Sequence, residues 1–423
     1  MKTSGFIFSL LLLIGTSSVF AGGFQINEQN ARAMAMGGAF TAIVSDPSAV
    51  YYNNAALTRL SGFQVQVGTT VITAATSFRG PYGPGISNGS IAESNMNKKI
   101  FFPSHAYFTY QATDQIFLGL GFNTPFGLGS SWDKNWVGRK VSVDIDLKTF
   151  SFNPTVAYKL SKNFSIGAGF QYNLGSVMIE KSADVALLDE ATVHLEGTNS
   201  KATGYTIGAL ATSSDGKKLS VGLNYRSEVK YEFKGTATST IRSGLASALA
   251  LLPHGDITAV LKSPAQLVLG VSYMLTDDLT LSADYQYIYW SSYDTLKVTF
   301  DDGKQNPIAS ARLYQDTYIG RFGLEYRMSS DLALRCGILY DKNPVTDALV
   351  DASLPDANRV GYSAGFGYKI SESLNVDLGY LFLRFKERTI TNSKVSMGTG
   401  SYFMNGTYNT AANLMSFTLS YKF

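Results

Sequence analysis

Apolar and polar side chains alternate with a period of two along most of the chain after residue 60. In the clearest segment the apolar set is Leu279, Leu281, Ala283, Tyr285, Tyr287 and Tyr289, and the polar set is Thr280, Ser282, Asp284 and Gln286. The same alternation recurs at 219–226, 318–327, 360–369 and 415–423. A period of two places alternate side chains on opposite faces of a strand, so the pattern predicts antiparallel sheet with one apolar face.

Short polar turns set the number of strands. They lie at 113–114, 162–163, 215–216, 276–278, 329–331 and 371–373, with long polar or glycine-rich stretches between them. Each of the six turns joins two strands and one strand remains at each end, which gives fourteen. We predict strand starts near residues 62, 101, 115, 141, 164, 201, 218, 260, 279, 314, 332, 358, 374 and 411. Because lipid offers no hydrogen bonds, and the apolar faces end in aromatic girdles, we predict an all-β, closed, fourteen-stranded outer-membrane barrel.

The first sixty residues do not follow this pattern. Lys2, the apolar run 6–14 and Val19-Phe20-Ala21 are typical of a secretory signal peptide, residues 1–21, cleaved after Ala21. The run is too short to span roughly 30 Å of hydrocarbon. Residues 22–60 are rich in Ala, Gly and Met and lack a strand period. We expect them to fill the barrel of residues 61–423 as a hatch; the alternative is a flexible leader.

Composition excludes several classes of protein. Charged residues are 16% and aromatic residues 13%, with one Cys, three His and a formal charge of +3. These values argue against disorder, an internal disulfide, a zinc site and nucleic-acid binding, and we expect no metal or cofactor. The aromatic C-terminal residue, Phe423, resembles the ending by which outer-membrane barrels are assigned to their assembly machinery.

Several segments in order resemble the FadL/TodX-type transporters, which carry long-chain fatty acids and other hydrophobic compounds across the outer membrane. The segments lie at 23–28, 51–57, 114–115, 123–128, 136–139, 179–181, 290–293, 337–345 and 354–359. The resemblance covers nearly the whole mature chain. It implies a monomeric barrel with an N-terminal hatch, an outer capture groove, a pocket in the lumen and a lateral exit beside a kinked third strand. The hatch motif would be Asn53, Asn54 and Ala55, with Asn54 where the family has Pro, which restores an N–H and frees φ.

The third strand ends in Thr124, Pro125, Phe126 and Gly127. Pro cannot donate to the ladder and Gly permits a bulge, so strand pairing is expected to break here. The resemblance assigns this break to the lateral gate. The alternative is a loop that begins at Thr124.

The resemblance also places a substrate site. Lys181 and Arg312 align with basic residues of the family and would bind a substrate carboxylate, although a surface role is equally open. The acid Asp341 is expected to have a structural role, paired with a basic residue of the lumen such as Arg335. Apolar loop residues would form the capture groove, or pack only on one another; they are Leu187, Leu188, Ile241, Leu245, Leu249 and Leu252.

We therefore expect a transporter of the Gram-negative outer membrane, in contact with its lipids, that takes up fatty acids or monoaromatic hydrocarbons. One alternative is a general diffusion porin. A lipolytic enzyme is less favoured, because the adjacent Ser104 and His105 point to opposite faces of a strand and cannot form a dyad. We do not expect an enzyme.

Overall fold

A computed structural model describes residues 22–81, 91–186, 189–215, 218–241, 249, 251–398 and 402–423. The predicted signal peptide lies outside these residues, so its cleavage stays a prediction. None of the helices that the described residues form has the length and apolar character needed to cross a membrane.

Fourteen strands, several of them interrupted, form one antiparallel sheet. They are β1 (Phe63–Gly80), β2 (Ala92–Asn95, Ile100–Phe101 and Ser104–Gln111), β3 (Ile116–Asn123 and Gly127–Ser131), β4 (Asp144–Lys159), β5 (Phe164–Ala186), β6 (Asp189–Thr212), β7 (Leu219–Arg226 and Val229–Ile241), β8 (Gly255–Ser263 and Gln266–Met274), β9 (Leu279–Ile288 and Thr295–Phe300), β10 (Ile308–Ala311 and Thr317–Arg327), β11 (Leu332–Asp341), β12 (Arg359–Lys369), β13 (Leu374–Phe385 and Arg388–Ile390) and β14 (Gly406–Lys422).

The sheet closes into a barrel where β1 pairs with β14 from Gln64↔Lys422 to Arg79↔Thr407. The predicted faces are confirmed: Tyr285 is 49% exposed toward the lipid side, whereas its neighbour Asp284 is 5% exposed on the inner side. The fourteen-strand count is also confirmed, but several starts were wrong. The strands β2, β6, β8, β10 and β14 begin earlier than predicted, and β4 begins later.

Residues 22–60, here called the N-terminal segment, contain α1 (Ala31–Ala35), α2 (Ala49–Tyr52) and a 3-10 helix (Asn54–Arg59); further 3-10 turns lie at Trp290–Ser292 and Asp347–Leu349. The Asn30 side chain caps α1 by accepting the Ala33 N–H at 3.0 Å. Gly37 and Gly38, both with positive φ, follow its end. Helix α1 contacts β11, β12, β13 and β14, whereas the 3-10 helix Asn54–Arg59 contacts β3, β4, β5 and β6. The segment therefore touches opposite sides of the ring.

Glycines on the inner wall permit this close approach. A Cβ on Gly167 would lie 2.6 Å from the backbone carbon of Asn54 and 2.7 Å from the nitrogen of Ala55. On the other side of the ring, a Cβ on Gly323 would lie 2.5 Å from the carbonyl oxygen of Met36. Backbone atoms of the segment cannot move aside as a side chain can, so a larger residue would displace the segment.

Charged side chains also bind the segment to the wall. Arg32 of α1 donates to Glu325 of β10 from Nε at 2.8 Å and from Nη2 at 2.9 Å. Arg335 of β11 donates to the same carboxylate at 2.6 Å and to Asp377 of β13 at 2.6 Å. Each guanidinium in this buried network is matched by a carboxylate, which offsets the cost of removing the charges from water.

We predict that Gly167→Val destabilises the barrel by about 1–3 kcal/mol, because the new side chain overpacks against the backbone of the N-terminal segment. The measurement is the temperature at which the folded, fast-migrating band is lost on SDS gels. Gly320→Val is the matched control, since no atom lies within 4 Å of a Cβ at that position. An equal effect of both substitutions would contradict the packing argument.

We predict that Glu325→Gln costs about 3–5 kcal/mol, because it leaves Arg32 and Arg335 without their shared buried carboxylate. Denaturant titration of the refolded protein measures this loss. Glu372→Gln removes an exposed partner of Lys369 and should leave the midpoint unchanged. A stability of Glu325→Gln equal to that of the parent protein would show that the network does not hold the segment.

Candidate ligand cavity and barrel-wall break

The barrel contains an apolar cavity with an empty volume of about 850 Å³. It lies between the strand ends that lead into the long loops, a region here called the long-loop side. Its lining is apolar apart from a few polar groups; the apolar residues include Leu128, Ile145, Leu147, Val177, Ile179, Leu195, Phe233, Ile257, Leu261, Leu296 and Val298. None of these residues was predicted to line a cavity, although Leu128 and Ile179 lie in segments that resemble the family.

A reversal of polarity along the strands creates this cavity. In the membrane band the inner face is polar, as at Asp284, and the outer face apolar. At the start of β4, Ile145 and Leu147 are instead buried inside, while Lys148 is exposed outside. In β7 Phe233 is likewise buried, between two exposed charged residues. Charges at alternate positions beside apolar residues are a sequence signal that could have located the cavity.

Of the two predicted basic residues, Arg312 is among those that line the cavity, and Lys181 lies near enough to interact electrostatically with it. Arg312 lines the cavity and donates to Asp351 from Nη1 at 2.7 Å, while its buried Nε has no partner among the described residues. Burial disfavours the charged form, but the Asp351 carboxylate and nearby tyrosines outweigh it and raise the pKa of Arg312, so it remains a cation. Lys181 follows Val177 and Ile179 on the inner face of β5 and interacts electrostatically with Arg312 and Asp351.

The N-terminal segment contributes Phe24 to the cavity wall. Its ring packs edge-on against Trp290, Tyr293 and Phe126, with centroid distances of 4.9, 5.7 and 5.8 Å. The next residue, Gln25, turns away and donates to Gln266 at 2.9 Å. The start of the segment is thus held by the residues that form the cavity.

The ladder between β2 and β3 stops part-way. Below the break, pairing runs from Gln111↔Phe117 to Ala106↔Phe122. Above it, Gly127–Ser131 pairs with β4, whereas the corresponding part of β2 pairs with β1. Among the described residues only one backbone bond joins the two sides there, from Asn97 N–H to the Ser131 carbonyl at 2.7 Å. Phe102, at the edge of the break, is 61% exposed.

At the break, the N-terminal segment provides hydrogen-bond partners for β3 that β2 does not provide. The Ile26 N–H donates to the Pro125 carbonyl at 2.9 Å, and the Gly127 N–H donates to the Phe24 carbonyl at 3.1 Å. The Gln29 side chain donates to the Thr124 carbonyl at 2.9 Å. The predicted gate residues, 124–127, therefore lie at the break and bind the segment. Their role as a gate stays a prediction.

The predicted hatch motif contacts β6 directly. Asn53 donates from Nδ2 to the Thr41 carbonyl at 3.0 Å and to the Ala209 carbonyl at 3.1 Å, and its Oδ1 accepts the Ala55 N–H at 3.2 Å. Asn54 donates to Thr206 Oγ1 at 2.7 Å. A proline at position 54 could not make that last bond. Asn54, which stands where the family pattern has proline, therefore adds a hydrogen bond between the N-terminal segment and the barrel wall.

The capture groove is only partly described. Leu187, Leu188 and Leu245 lie outside the described residues. Ile241 ends β7 opposite Ala191, Leu252 is buried and Leu249 is exposed. These positions do not decide between a groove and simple loop packing, so the groove stays a prediction.

The expected pairing of Asp341 with Arg335 is wrong. Both side chains face inward on β11, but six residues of strand separate them by roughly 20 Å. Asp341 instead accepts from Arg359, directly opposite on β12, at 2.9 Å from Nε and 2.7 Å from Nη2. Arg335 binds Glu325 and Asp377.

The family of the chain follows from a comparison of its sequence with family models. Residues 12–423 match the model described as outer membrane protein transport protein (OMPP1/FadL/TodX). The chain belongs to this family. The OMPP1/FadL/TodX proteins are outer-membrane transporters of hydrophobic compounds, so the predicted location is confirmed, as is the prediction that the protein is not an enzyme.

Relatives of this FadL/TodX-family protein span its full length. Outer membrane protein P1 of Haemophilus influenzae is 26% identical over 462 residues, which cover 97% of each chain. The long-chain fatty acid transport protein of Escherichia coli K12 is 24% identical over 408 residues, covering 88% of this chain and 89% of that protein.

Solved structures share the fold. A FadL homologue from Pseudomonas aeruginosa has a TM-score of 0.83 at 21% identity, covering 95% of this chain and 99% of its own. The toluene transporter TodX of Pseudomonas putida has a TM-score of 0.73 at 18% identity, covering 96% of this chain and 99% of its own.

Proposed function

We propose that this protein takes up long-chain fatty acids, binding them in the apolar cavity and releasing them sideways through the break between β2 and β3. One observation carries the proposal: the cavity and the break share a boundary. Phe24 and Leu128 line the cavity, and the carbonyl of Phe24 bonds the Gly127 N–H at the edge of the break. Movement of the first residues of the N-terminal segment would open one into the other.

The apolar tail sets the affinity in this mechanism. Burial of about 15 methylene groups is worth on the order of 12 kcal/mol before the cost of association. A charge-assisted hydrogen bond to the carboxylate adds only about 1.5–3 kcal/mol. The cations at the end of the cavity therefore orient the ligand and favour an acid over a hydrocarbon of the same size.

The charges at that end suit a carboxylate. Asp351 balances Arg312, which leaves Lys181 as the surplus positive charge and the Nε of Arg312 as a free donor. A relative named as a long-chain fatty acid transport protein supports a fatty acid as the substrate. Structures named as toluene transporters share the fold, so monoaromatic hydrocarbons are the second candidate class of substrate.

The N-terminal segment would act as the hatch. It contacts opposite sides of the ring and holds the break closed with few hydrogen bonds. No nucleotide motif stands in the sequence, so we expect diffusive transport, driven by consumption of the substrate inside the cell. The capture groove would hold the substrate first, with Leu249 and the fully protruding Leu251 among its described residues.

Assembly and oligomeric state complete the proposal. The C-terminal Phe423 is exposed and packs against Phe63 at a centroid distance of 5.0 Å, where the last strand meets the first. We expect it to be read by the barrel-assembly machinery and the finished protein to be a monomer.

We predict that Lys181→Met weakens oleate binding about tenfold, because it removes roughly 1.5 kcal/mol of interaction with the carboxylate. Toluene binding should be unchanged. The side chain of Lys181 has no hydrogen bond or ion pair among the described residues, so the substitution leaves no carboxylate unpaired. Fluorescence competition on purified protein measures both ligands.

The matched control for that experiment is Lys297→Met. Lys297 precedes Val298 of the cavity wall but is exposed on the outer face. Equal losses for oleate and toluene in Lys181→Met would indicate a packing defect, and no loss for either ligand would refute the assignment of Lys181.

We predict that a reversible cross-link over the break stops uptake. The side chains of Asn97 and Ser131 meet at 3.2 Å, so Asn97→Cys with Ser131→Cys, in a Cys336→Ser background, should form a disulfide. Oxidised cells should lose labelled oleate uptake and recover it with reductant, while the fast-migrating folded band persists. Undiminished uptake in the oxidised form would refute the lateral route, and sugar flux through liposomes would indicate a porin instead.

A further inference from the structure

Two carboxylates on the long-loop side meet at the start of the N-terminal segment. Asp341, at the end of β11, is 1% exposed, and Asp356, in the loop before β12, is 2% exposed. Gly23 donates its N–H to Asp356 at 2.8 Å. The buried Gly22 lies so close to Asp341 that a Cβ at that position would collide with the carboxylate.

This acidic pair lacks a full complement of positive charge. Arg359 uses Nε and Nη2 on the single oxygen Oδ2 of Asp341. The other oxygen, Oδ1, is buried beside Gly22 and has no hydrogen-bond donor among the described residues. Within the described part of the chain, the Asp356 carboxylate accepts only backbone N–H groups, from Gly23 and from Ala357.

The pKa values of the carboxyl groups at this place indicate the same shortage of positive charge. Burial raises the pKa of Asp356 to about 7, and the neighbouring charge of Asp341 adds to this against the pull of Arg359. Burial likewise raises the pKa of Glu28, which interacts electrostatically with the same guanidinium. Arg359 acts on all three carboxylates. Arg321 also acts on Glu28 and Asp341 but is shared with Asp284, and Arg388 acts on Asp356 but donates to Asp347. Carboxylates therefore outnumber guanidinium groups among these described residues, and a buried site with excess negative charge is costly unless a cation completes it.

Processing of the chain would create such a cation at this place. Cleavage after Ala21 adds water across the Ala21–Gly22 peptide bond, leaving a carboxylate on Ala21 and an amine on Gly22 that is protonated near neutral pH. We propose that the pair Asp341 and Asp356 is the binding site for the α-ammonium group of Gly22 in the mature protein. In the unprocessed chain the same nitrogen is a neutral amide.

This ion pair would couple processing to completion of the ligand site. The residues that follow Gly22 are Gly23, bound to Asp356, Phe24, which lines the cavity, and Ile26, which bonds the Pro125 carbonyl at the break. Fixing the first residue therefore fixes the cavity wall and the closed break together. The inference rests on cleavage after Ala21 and not on which substrate is carried.

The test measures the reactivity of the α-amine in mature protein purified from outer membranes. Intact mass first establishes Gly22 as the first residue. An N-hydroxysuccinimide acetate reagent then acetylates amines near neutral pH, and the N-terminal peptide is quantified against a peptide that contains the exposed Lys304. Because only the unprotonated amine reacts, the folded protein should react at least about tenfold more slowly than urea-unfolded protein.

The decisive variant is Asp341→Asn, which keeps the size of the side chain and removes its charge. It should restore most of the α-amine reactivity, while Asp302→Asn, at an exposed loop acid, should remain protected. Equal protection in Asp341→Asn and the parent protein would mean that burial alone shields the amine and would overturn the proposal. A mature chain that begins at another residue, or an amine as reactive as in urea, would also overturn it.

Two further variants serve if Asp341→Asn does not reach the folded band on SDS gels. Asp356→Asn removes the second charge, and insertion of one Ser before Gly22 moves the amine by about 3.8 Å. Each should lose protection in folded protein, and retention of protection in both would overturn the proposal. Failure of oleate uptake in a protein with a protected amine would count against the transport proposal alone, so the two results are separable.

Discussion

The structure depends on one constraint: backbone N–H and C=O groups in lipid find no partners except one another. Fourteen strands satisfy it by closing β14 onto β1, and along almost the whole ring the ladders run from one edge of the membrane band to the other. The upper part of the β2–β3 seam departs from this rule. There Pro125 has no N–H to offer, and the carbonyls of Thr124 and Pro125 and the N–H of Gly127 bond to the N-terminal segment instead.

The second constraint is the polarity of each face of the sheet, which must suit the water, lipid or ligand that the face contacts. Within the membrane band the inner wall is polar and bonds the N-terminal segment; for example, Asp284 Oδ2 accepts hydrogen bonds from the N–H groups of both Phe40 and Thr41. Beyond the band the same strands carry charge outside and apolar residues inside. A cavity for an apolar ligand thus needs no separate domain, because it is the continuation of the barrel wall with its pattern inverted.

The architecture could be predicted from the sequence because it rests on local signals. A period of two, short turns and aromatic ends gave fourteen strands, and the absence of a period marked residues 22–60. Strand starts such as Asp189 and Gly255 were missed because the predicted pattern demanded an apolar outer face, which these extensions lack.

Partners across the sheet could not be predicted in the same way. Asp341 pairs with Arg359 because of the register between β11 and β12, and that register is fixed by the whole ladder and not by local sequence. The cavity residues, including Phe24, are brought together from seven strands and the N-terminal segment by the same closure. Pro125 was identified from the family resemblance together with its chemistry, but its partner Ile26 depended on how the segment folds back.

The proposed mechanism requires a movable part in a stable barrel, and the way the break is closed suits this requirement. Each backbone hydrogen bond contributes only about 0.5–1.5 kcal/mol net, and few such bonds join residues 24–26 to residues 125–127. Breaking these bonds would cost a few kcal/mol, to which the burial of the Phe24 ring adds, whereas parting two fully paired strands would cost many times more. The remainder of the segment is held by buried ion pairs such as Arg32–Glu325 and by close packing on glycines. The proposed motion would therefore be confined to the first residues, which are the ones that separate the cavity from the break.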